Sequence, residues 1–191
     1  MPSRHAVIAL LLCAASVRPA LAQQLDGRLD TQVVPTFEHV LLQVDPAAER
    51  YTGRVRIDVE VRAEVRDFVL HAEDMNITSA TLRRKRKART VQTEALEFGM
   101  LKVTSDRALR PGPYTLELVF DNDLNARAEG LYRFESDGAW YVASQFEADE
   151  ARQAFPCFDE PSSKIPFQFR VETPARLQVV SNMPVERLVV E

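Results

Sequence analysis

Residues 53–65 read Gly53-Arg54-Val55-Arg56-Ile57-Asp58-Val59-Glu60-Val61-Arg62-Ala63-Glu64-Val65. Every second residue of this stretch is apolar, and nearly all of the residues between them are charged. A strand with one face in the core and the other in water has this period of two, whereas a helix has a period of 3.6. The stretch therefore predicts a long, half-buried β-strand.

Strand-like patterns recur along the rest of the chain. Clear alternation returns at 114–120 and 165–171, and shorter candidates lie at 37–44, 67–71, 76–83, 90–97, 99–104, 131–135, 139–147 and 176–181. Turn-forming residues such as Pro46, Gly99 and Gly138 separate these segments, and only 148–155 has helical character. We therefore predict an all-β fold, a large and mainly antiparallel β-sheet domain with one short helix.

The first residues have the three parts of a secretory signal peptide. Arg4 supplies a positive start, residues 6–17 are apolar, and Ala20-Leu21-Ala22 has the small residues of a cleavage site. An uncleaved membrane anchor is the alternative, but the apolar run is short for a bilayer. We predict a signal peptide over residues 1–22, a β-domain over 23–191, a secreted or periplasmic location, and no membrane span after cleavage.

The two cysteines do not predict a disulfide. Cys13 leaves with the signal peptide, so Cys157 has no second cysteine in the mature chain. A lone thiol of this kind is either a reactive nucleophile or, more often, a small buried apolar group. We predict that Cys157 is buried.

Charge gives no reason to expect a nucleic-acid partner, because the formal net charge is −4. One basic run, Arg83-Arg84-Lys85-Arg86-Lys87 followed by Arg89, lies between two strand candidates. We predict that it is a solvated hairpin tip, and contact with an anionic surface is the alternative.

The residues best suited to a functional site lie between 130 and 161. They form three groups: Gly130-Leu131-Tyr132-Arg133, Gln145-Phe146-Glu147, and Ala151-Arg152-Gln153-Ala154-Phe155-Pro156-Cys157-Phe158-Asp159-Glu160-Pro161. Alternation along 139–147 places Gln145 and Glu147 on one face of a strand and Phe146 on the other. The two prolines fix φ on either side of 157–160, which predicts a rigid elbow there.

In this order and spacing, the three groups resemble the amino-terminal β-domain of the aminopeptidase N-like zinc metallopeptidases, the gluzincins. Further matching segments are Arg28-Leu29-Asp30-Thr31, Val34-Pro35, Tyr51-Thr52-Gly53, Val69-Leu70-His71-Ala72 and Ser181-Asn182-Met183-Pro184-Val185. The resemblance covers nearly all of the chain after the signal peptide. It implies a saddle-like β-sheet domain.

The resemblance also implies roles for individual residues. Glu147 is expected to bind the free α-amino group of the substrate and Gln145 to line the same pocket, although composition alone would make Glu147 a solvated carboxylate. Structural roles, in holding the elbow and an interface, are implied for Pro156, Cys157, Phe158, Asp159, Glu160 and Pro161. Arg133 and Arg152 are expected to be ion-pair partners rather than catalysts.

The zinc site of that family has no counterpart in the sequence. Such a site needs two histidines in the motif H-E-x-x-H and a further glutamate, and neither His39 nor His71 nor His5 lies in that motif. The family's Gly-Ala-Met-Glu-Asn element is missing too. We therefore expect no catalytic residue, metal or cofactor in this chain, with zinc held in a catalytic domain that the sequence lacks, and we expect the chain to be truncated within a strand at 188–191.

The sequence thus predicts the substrate-recognition and scaffold domain of an exported zinc aminopeptidase, inactive by itself. Its expected partners are peptide N-termini, as substrate of the complete enzyme, and the catalytic zinc-peptidase domain. The alternative is a standalone exported β-domain that acts as a non-catalytic binding or interaction module. The two differ in whether the native reading frame continues past Glu191 into an H-E-x-x-H segment.

Overall fold

The computed structural model describes residues 28–174 and 176–189. The predicted signal peptide, residues 1–22, lies outside them. The described residues form eleven strands and one short 3₁₀ turn, Ala151–Gln153. The strands are β1 Val33–Gln43, β2 Arg50–Val61, β3 Val65–His71, β4 Asn76–Arg84, β5 Lys87–Thr90, β6 Gln92–Ala95, β7 Met100–Leu109, β8 Gly112–Asp123, β9 Gly130–Ser136, β10 Ala139–Gln145 and β11 Phe167–Glu172.

The strands form three sheets. The largest has six strands in the order β11-β1-β2-β8-β4-β5, a second has the order β3-β7-β6, and β9 pairs with β10 as a separate hairpin. All pairs are antiparallel except β1 with β11, which is parallel. The predicted all-β, mainly antiparallel class is confirmed.

The alternating stretch forms the central strand β2 as far as Val61, whereas Val65, also included in the predicted strand, begins β3 in another sheet. Residues of one parity, from Tyr51 to Val61, are buried, while those between them face away from the core. Gly53 belongs to the buried set, and a Cβ there would lie 2.3 Å from Cζ of Phe120 on β8. Only glycine lets the Phe120 ring lie against the backbone at this point.

The buried faces of the six-stranded and three-stranded sheets contribute to one apolar cluster. Ile57, Leu116 and Leu118 come from the first sheet, and Leu70 and Val103 come from the second. The segment after β10 adds Ala154, Phe155, Cys157 and Phe158 to the same cluster. The segment 154–158 therefore packs directly into the main core.

Other predicted elements also differ in the structure. The helix expected at 148–155 is only the 3₁₀ turn, and Pro156 limits it at its C-terminal end because proline lacks an N–H and disfavours helical geometry in the residue before it. The strand expected at 90–97 is divided, because the Val91 N–H bonds to the Ala80 carbonyl of the first sheet at 3.1 Å while β6 pairs in the second. The strand expected at 176–181 is not formed.

The missing strand illustrates what an apolar pattern cannot supply. Val179 and Val180 are exposed, and among the described residues no strand pairs with this segment. A strand needs a neighbouring edge to satisfy its backbone groups, so β-propensity alone does not form one.

The basic run lies where the sequence places it. Arg83 and Arg84 end β4, Lys87 begins β5, and the turn between them contains Lys85 with a φ of 54°. The Arg84 guanidinium lies over the Tyr114 ring, 4.9 Å from its centroid, while most of the other basic side chains are exposed. Within the described part of the chain, no helix has the length and apolar character needed to cross a membrane.

Candidate functional site

The hairpin of β9 and β10 carries the first two groups of the motif. Gln145 lies opposite Gly130, Ala143 opposite Tyr132, and Tyr141 opposite Phe134. Opposed residues of an antiparallel pair point to the same face, so Tyr132, Phe134, Tyr141 and Gln145 share one face of the hairpin.

Gly130 fixes the base of this hairpin beside Gln145. Its φ is 59°, and a Cβ there would lie 2.8 Å from Cβ of Gln153 and 3.3 Å from the carbonyl oxygen of Glu150. Any side chain at this position would strain the backbone and push the 3₁₀ turn away from the hairpin. This close approach explains the glycine that opens the motif.

The segment Gln145, Phe146 and Glu147 turns its central residue inward. The Phe146 ring meets the Phe155 ring edge to face, with centroids 5.7 Å apart, and packs against the core. Gln145 and Glu147 are exposed, and the Glu147 N–H donates to Oε1 of Gln145 at 3.1 Å. The inward direction of Phe146 is as predicted.

One detail of the predicted geometry is wrong. Strand β10 ends at Gln145, so Glu147 follows the strand instead of lying on it. The chain turns at this point toward the segment before the 3₁₀ turn, where the Glu150 N–H bonds to the Phe146 carbonyl at 3.1 Å. The proximity of Glu147 to Gln145 therefore depends on this turn and on the Phe146 contact rather than on strand alternation.

Two central strands, β2 and β8, bind the backbone of the 3₁₀ turn region through side-chain hydrogen bonds. The Tyr51 hydroxyl on β2 donates to the Ala154 carbonyl at 2.7 Å, and the Asn122 side chain on β8 donates to the Gln153 carbonyl at 2.9 Å. Burial raises the pKa of Tyr51, so its hydroxyl keeps the donated proton at neutral pH. Neither residue was predicted to support the site, although the segment containing Tyr51 was part of the resemblance.

The elbow at 156–161 is attached to the second sheet through Cys157. Its N–H donates to the His71 carbonyl at 2.9 Å, and its carbonyl accepts from the His71 N–H at 2.8 Å. Cys157 and Phe158 are buried, and burial raises the pKa of the Cys157 thiol well above its usual range. The predicted burial of Cys157 is confirmed, and a protonated, enclosed thiol of this kind is a poor nucleophile.

Arg152 and Asp159 form the main polar contact inside the elbow. Oδ2 of Asp159 accepts from Nε of Arg152 at 3.1 Å and from its backbone N–H at 3.2 Å. The same guanidinium donates to the Asp159 carbonyl at 3.1 Å and to the Phe98 carbonyl at 3.4 Å. Arg152 is only 9% exposed, so this ion pair joins the turn, the elbow and the loop before β7 in a largely dry environment.

The other motif residues also make structural contacts. Glu160 precedes Pro161 in the sequence, and its Oε1 accepts a hydrogen bond from the Leu29 N–H at 2.8 Å. The Arg133 guanidinium lies 4.5 Å from the Trp140 ring centroid and donates to Glu49 at 3.0 Å. Arg133 forms an ion pair with Glu49, and Arg152 forms one with Asp159.

No motif or pattern in the sequence singles out Glu38. It lies on the core face of β1, is 0% exposed, and neither carboxyl oxygen has a hydrogen-bond partner among the described residues. Burial, and secondarily the charge of Asp159, raise the pKa of Glu38 well above its usual range. Burial therefore favours the protonated form of Glu38 inside the core.

No group of three or more His, Cys, Asp or Glu residues within 28–174 and 176–189 is placed to hold a metal ion. The described residues do not fit the zinc that the resemblance implies. What the exposed part of the motif offers is one carboxylate and one amide side by side. Such a pair accepts hydrogen bonds from a cationic donor.

Comparison with known proteins gives a consistent result. A family model described as the Peptidase M1 N-terminal domain matches residues 34–190. The chain is 33% identical over 163 residues to Aminopeptidase M1-C of Oryza sativa subsp. japonica, with 83% of this chain and 19% of the relative covered. It is 33% identical over 170 residues to Aminopeptidase M1 of Arabidopsis thaliana, with 84% and 19% covered.

A mammalian relative gives a similar match. The chain is 30% identical over 172 residues to glutamyl aminopeptidase of Rattus norvegicus, with 84% of this chain and 18% of the relative covered. The chain thus spans less than a fifth of the length of these relatives. The resemblance read from the motif is confirmed, and the chain belongs to the Peptidase M1 family as an M1 aminopeptidase N-terminal domain.

Proposed function

We propose that this domain is the substrate-recognition and scaffold part of an exported zinc aminopeptidase that removes N-terminal residues from peptides. Glu147 and Gln145 bind the free α-amino group of the substrate. The observation that supports this proposal is the placement of the two side chains. Both are exposed beside each other, while Phe146 between them is anchored on Phe155.

Charge explains why a carboxylate suits this task. A peptide α-amino group has a pKa of about 7.7–8.0 and is largely protonated at neutral pH. Glu147 supplies the negative charge, and the Gln145 amide oxygen supplies a neutral acceptor next to it. A charge-assisted hydrogen bond at this position selects a free chain end over an internal or acetylated peptide segment.

The scaffold part of the proposal rests on the fixed surroundings of the pair. Phe146, Gly130 and the Arg152–Asp159 ion pair hold this region against the main core. Peptide hydrolysis, and the zinc that supports it, are assigned to a catalytic zinc-peptidase domain in the remaining length of the relatives. The domain alone is expected to hydrolyse no peptide and to bind no zinc.

Export is part of the same proposal. The tripartite start of the sequence supports a signal peptide over residues 1–22, removed on the way to a secreted or periplasmic location. The mature protein then begins at Gln23.

The test compares wild type and Glu147→Ala in the complete enzyme, purified from medium or periplasm with its N-terminus read by intact mass. Loss of a charge-assisted hydrogen bond should lower kcat/KM for free-amino substrates by about 10- to 150-fold. Glu135→Ala is the matched control, since its carboxylate is also exposed on the same hairpin but lies away from the pair. If hydrolysis by Glu147→Ala equals that of wild type, Glu147 is only a solvated carboxylate.

A further inference from the structure

The outer edge of β10 has unpaired backbone groups. The Arg133 N–H on β9 donates to the Asn125 carbonyl at 2.9 Å, so the backbone of Arg133 points away from β10. Backbone direction alternates along an antiparallel pair, and Arg133 lies opposite Val142. The N–H and C=O groups of Trp140, Val142 and Ser144 therefore point outward, and β10 has no strand on that side within the described part of the chain.

One face of the same hairpin is aromatic. The rings of Phe134 and Tyr141 stack with centroids 5.4 Å apart, and Tyr132 lies 6.1 Å from Phe134. Phe134 is 42% exposed and Tyr141 is 48% exposed, so the stack is open to a ligand. This is also the face that carries Gln145, with only the small Ala143 between Gln145 and Tyr141 on β10.

The proposed amine site gives the edge a direction. Glu147 lies just past the end of β10 that is formed by Gln145. A peptide whose α-ammonium group lies at Glu147 would run back along β10 toward Tyr141, antiparallel to the strand. An unpaired edge binds an extended peptide through its main chain, and alternate side chains of the peptide then contact one face.

We propose that β10 is an acceptor edge for the substrate, which adds to it as an antiparallel strand with its amino group at Glu147 and Gln145. With the first peptide residue opposite Gln145, the third lies opposite Ala143 and the fifth opposite Tyr141, about 13 Å along the strand. Apolar side chains at the third and fifth positions contact the aromatic face. The inference rests on the proposed amine site, and it adds the substrate class: extended peptides of five or more residues with alternating apolar positions.

Trp140 makes the edge directly observable, because it is the only tryptophan in the sequence. The experiment follows its fluorescence while the chain is titrated with the peptide Ala-Lys-Val-Lys-Phe-Lys amide. The comparison peptides are Ala-Phe-Lys-Val-Lys-Lys amide, which has the same composition in the wrong phase, and the dipeptide Ala-Lys amide. We expect the first peptide to bind at least about 10-fold more tightly than either, because only it combines edge hydrogen bonds with apolar contacts.

A pair of variants isolates the edge hydrogen bond. Val142→Pro removes an outward N–H, which an edge strand tolerates, whereas Val142→Ala keeps it. We expect Val142→Pro to weaken binding of the long peptide by about 3- to 10-fold and Val142→Ala to weaken it less than about 2-fold. The peptide series on the unchanged chain needs no variant, so it decides the question even if Val142→Pro disturbs the hairpin.

N-acetylation of the long peptide separates the two proposals. One outcome is that acetylation and Glu147→Gln weaken binding, whereas moving the apolar residues, shortening the peptide and Val142→Pro do not. The edge proposal is then overturned and the amine site stands. The opposite outcome is that binding depends on the positions of the apolar residues, on peptide length and on Val142→Pro, but not on acetylation. In that case the edge binds peptides and the amine site fails. If Trp140 fluorescence changes with protein concentration but not with added peptide, the edge pairs two copies of the chain. That result would also overturn the edge proposal.

Discussion

Residues 155–158 and strand β10 belong to one sequence motif but have opposite environments. Phe155, Cys157 and Phe158 are at most 5% exposed, and the neighbouring Asp159 accepts from Arg152. Trp140 and Tyr141 of β10 are 42% and 48% exposed, and the edge of the strand is unpaired among the described residues. The motif therefore has two parts: the elbow is packed into the core, and the hairpin end with Glu147 is exposed.

The largest effect should come from breaking the elbow. Arg152→Met leaves the Asp159 carboxylate mostly buried without its cation, and loss of one partner of a buried ion pair costs about 3–5 kcal/mol in the free energy of unfolding. Urea denaturation of the chain measures this loss. Arg54→Met, on the exposed face of β2, is the control and should change stability by less than about 0.5 kcal/mol. Similar values for the two variants would contradict the structural role of the elbow.

A second prediction concerns pH, through Glu38 beside the elbow. Its folded pKa is raised by burial, whereas the unfolded value is about 4.3. The folded state therefore holds this proton more tightly, so the contribution of Glu38 to stability is fully present below the unfolded pKa and is lost as pH rises through the folded pKa, by at most about 1.4 kcal/mol per pH unit. Glu38→Gln should remove this slope.

The measurement for Glu38 is urea denaturation of wild type and Glu38→Gln between about pH 4 and pH 8. Burial also raises the pKa of Glu73, which is less enclosed, so Glu73→Gln serves as the control and should remove a smaller part of the slope. If the pH dependence of stability is the same in Glu38→Gln as in wild type, Glu38 does not hold its proton more tightly in the folded state.

The sequence predicts the structure of a segment well where one physical rule determines it. In β2 the parity of apolar residues gives the strand and its buried face, and proline positions give the elbow. Glu38 shows where parity and residue type disagree. It shares the parity of Val40 and Leu42, which are buried, so strand geometry carries the carboxyl into the core although its chemistry favours water.

The candidate site was only partly predictable for a related reason. Alternation identifies Phe146 as inward and its neighbours as outward, but it does not show that β10 ends at Gln145. The unpaired edge of β10 depends on which strands become neighbours, and a single pattern of residues does not specify long-range pairing. The roles proposed for Glu147 and Gln145 are those that the resemblance implies, and only the three-dimensional packing shows which residues support them.

The smallest expected effect completes the comparison at the exposed end of the motif. Glu147→Ala removes a side chain that faces water and leaves the backbone bond from its own N–H to Gln145 available, so the free energy of unfolding should change by less than about 0.5 kcal/mol. Phe146→Ala, one residue away, removes a ring packed on Phe155 and should cost about 1–3 kcal/mol, less than a fully buried phenylalanine because the ring is only partly buried. Urea denaturation of the two variants side by side gives both values. Equal losses would mean that Glu147 also holds the fold together, and the division of the motif into a supporting part and a binding part would then fail at the residue on which the proposed amine site depends.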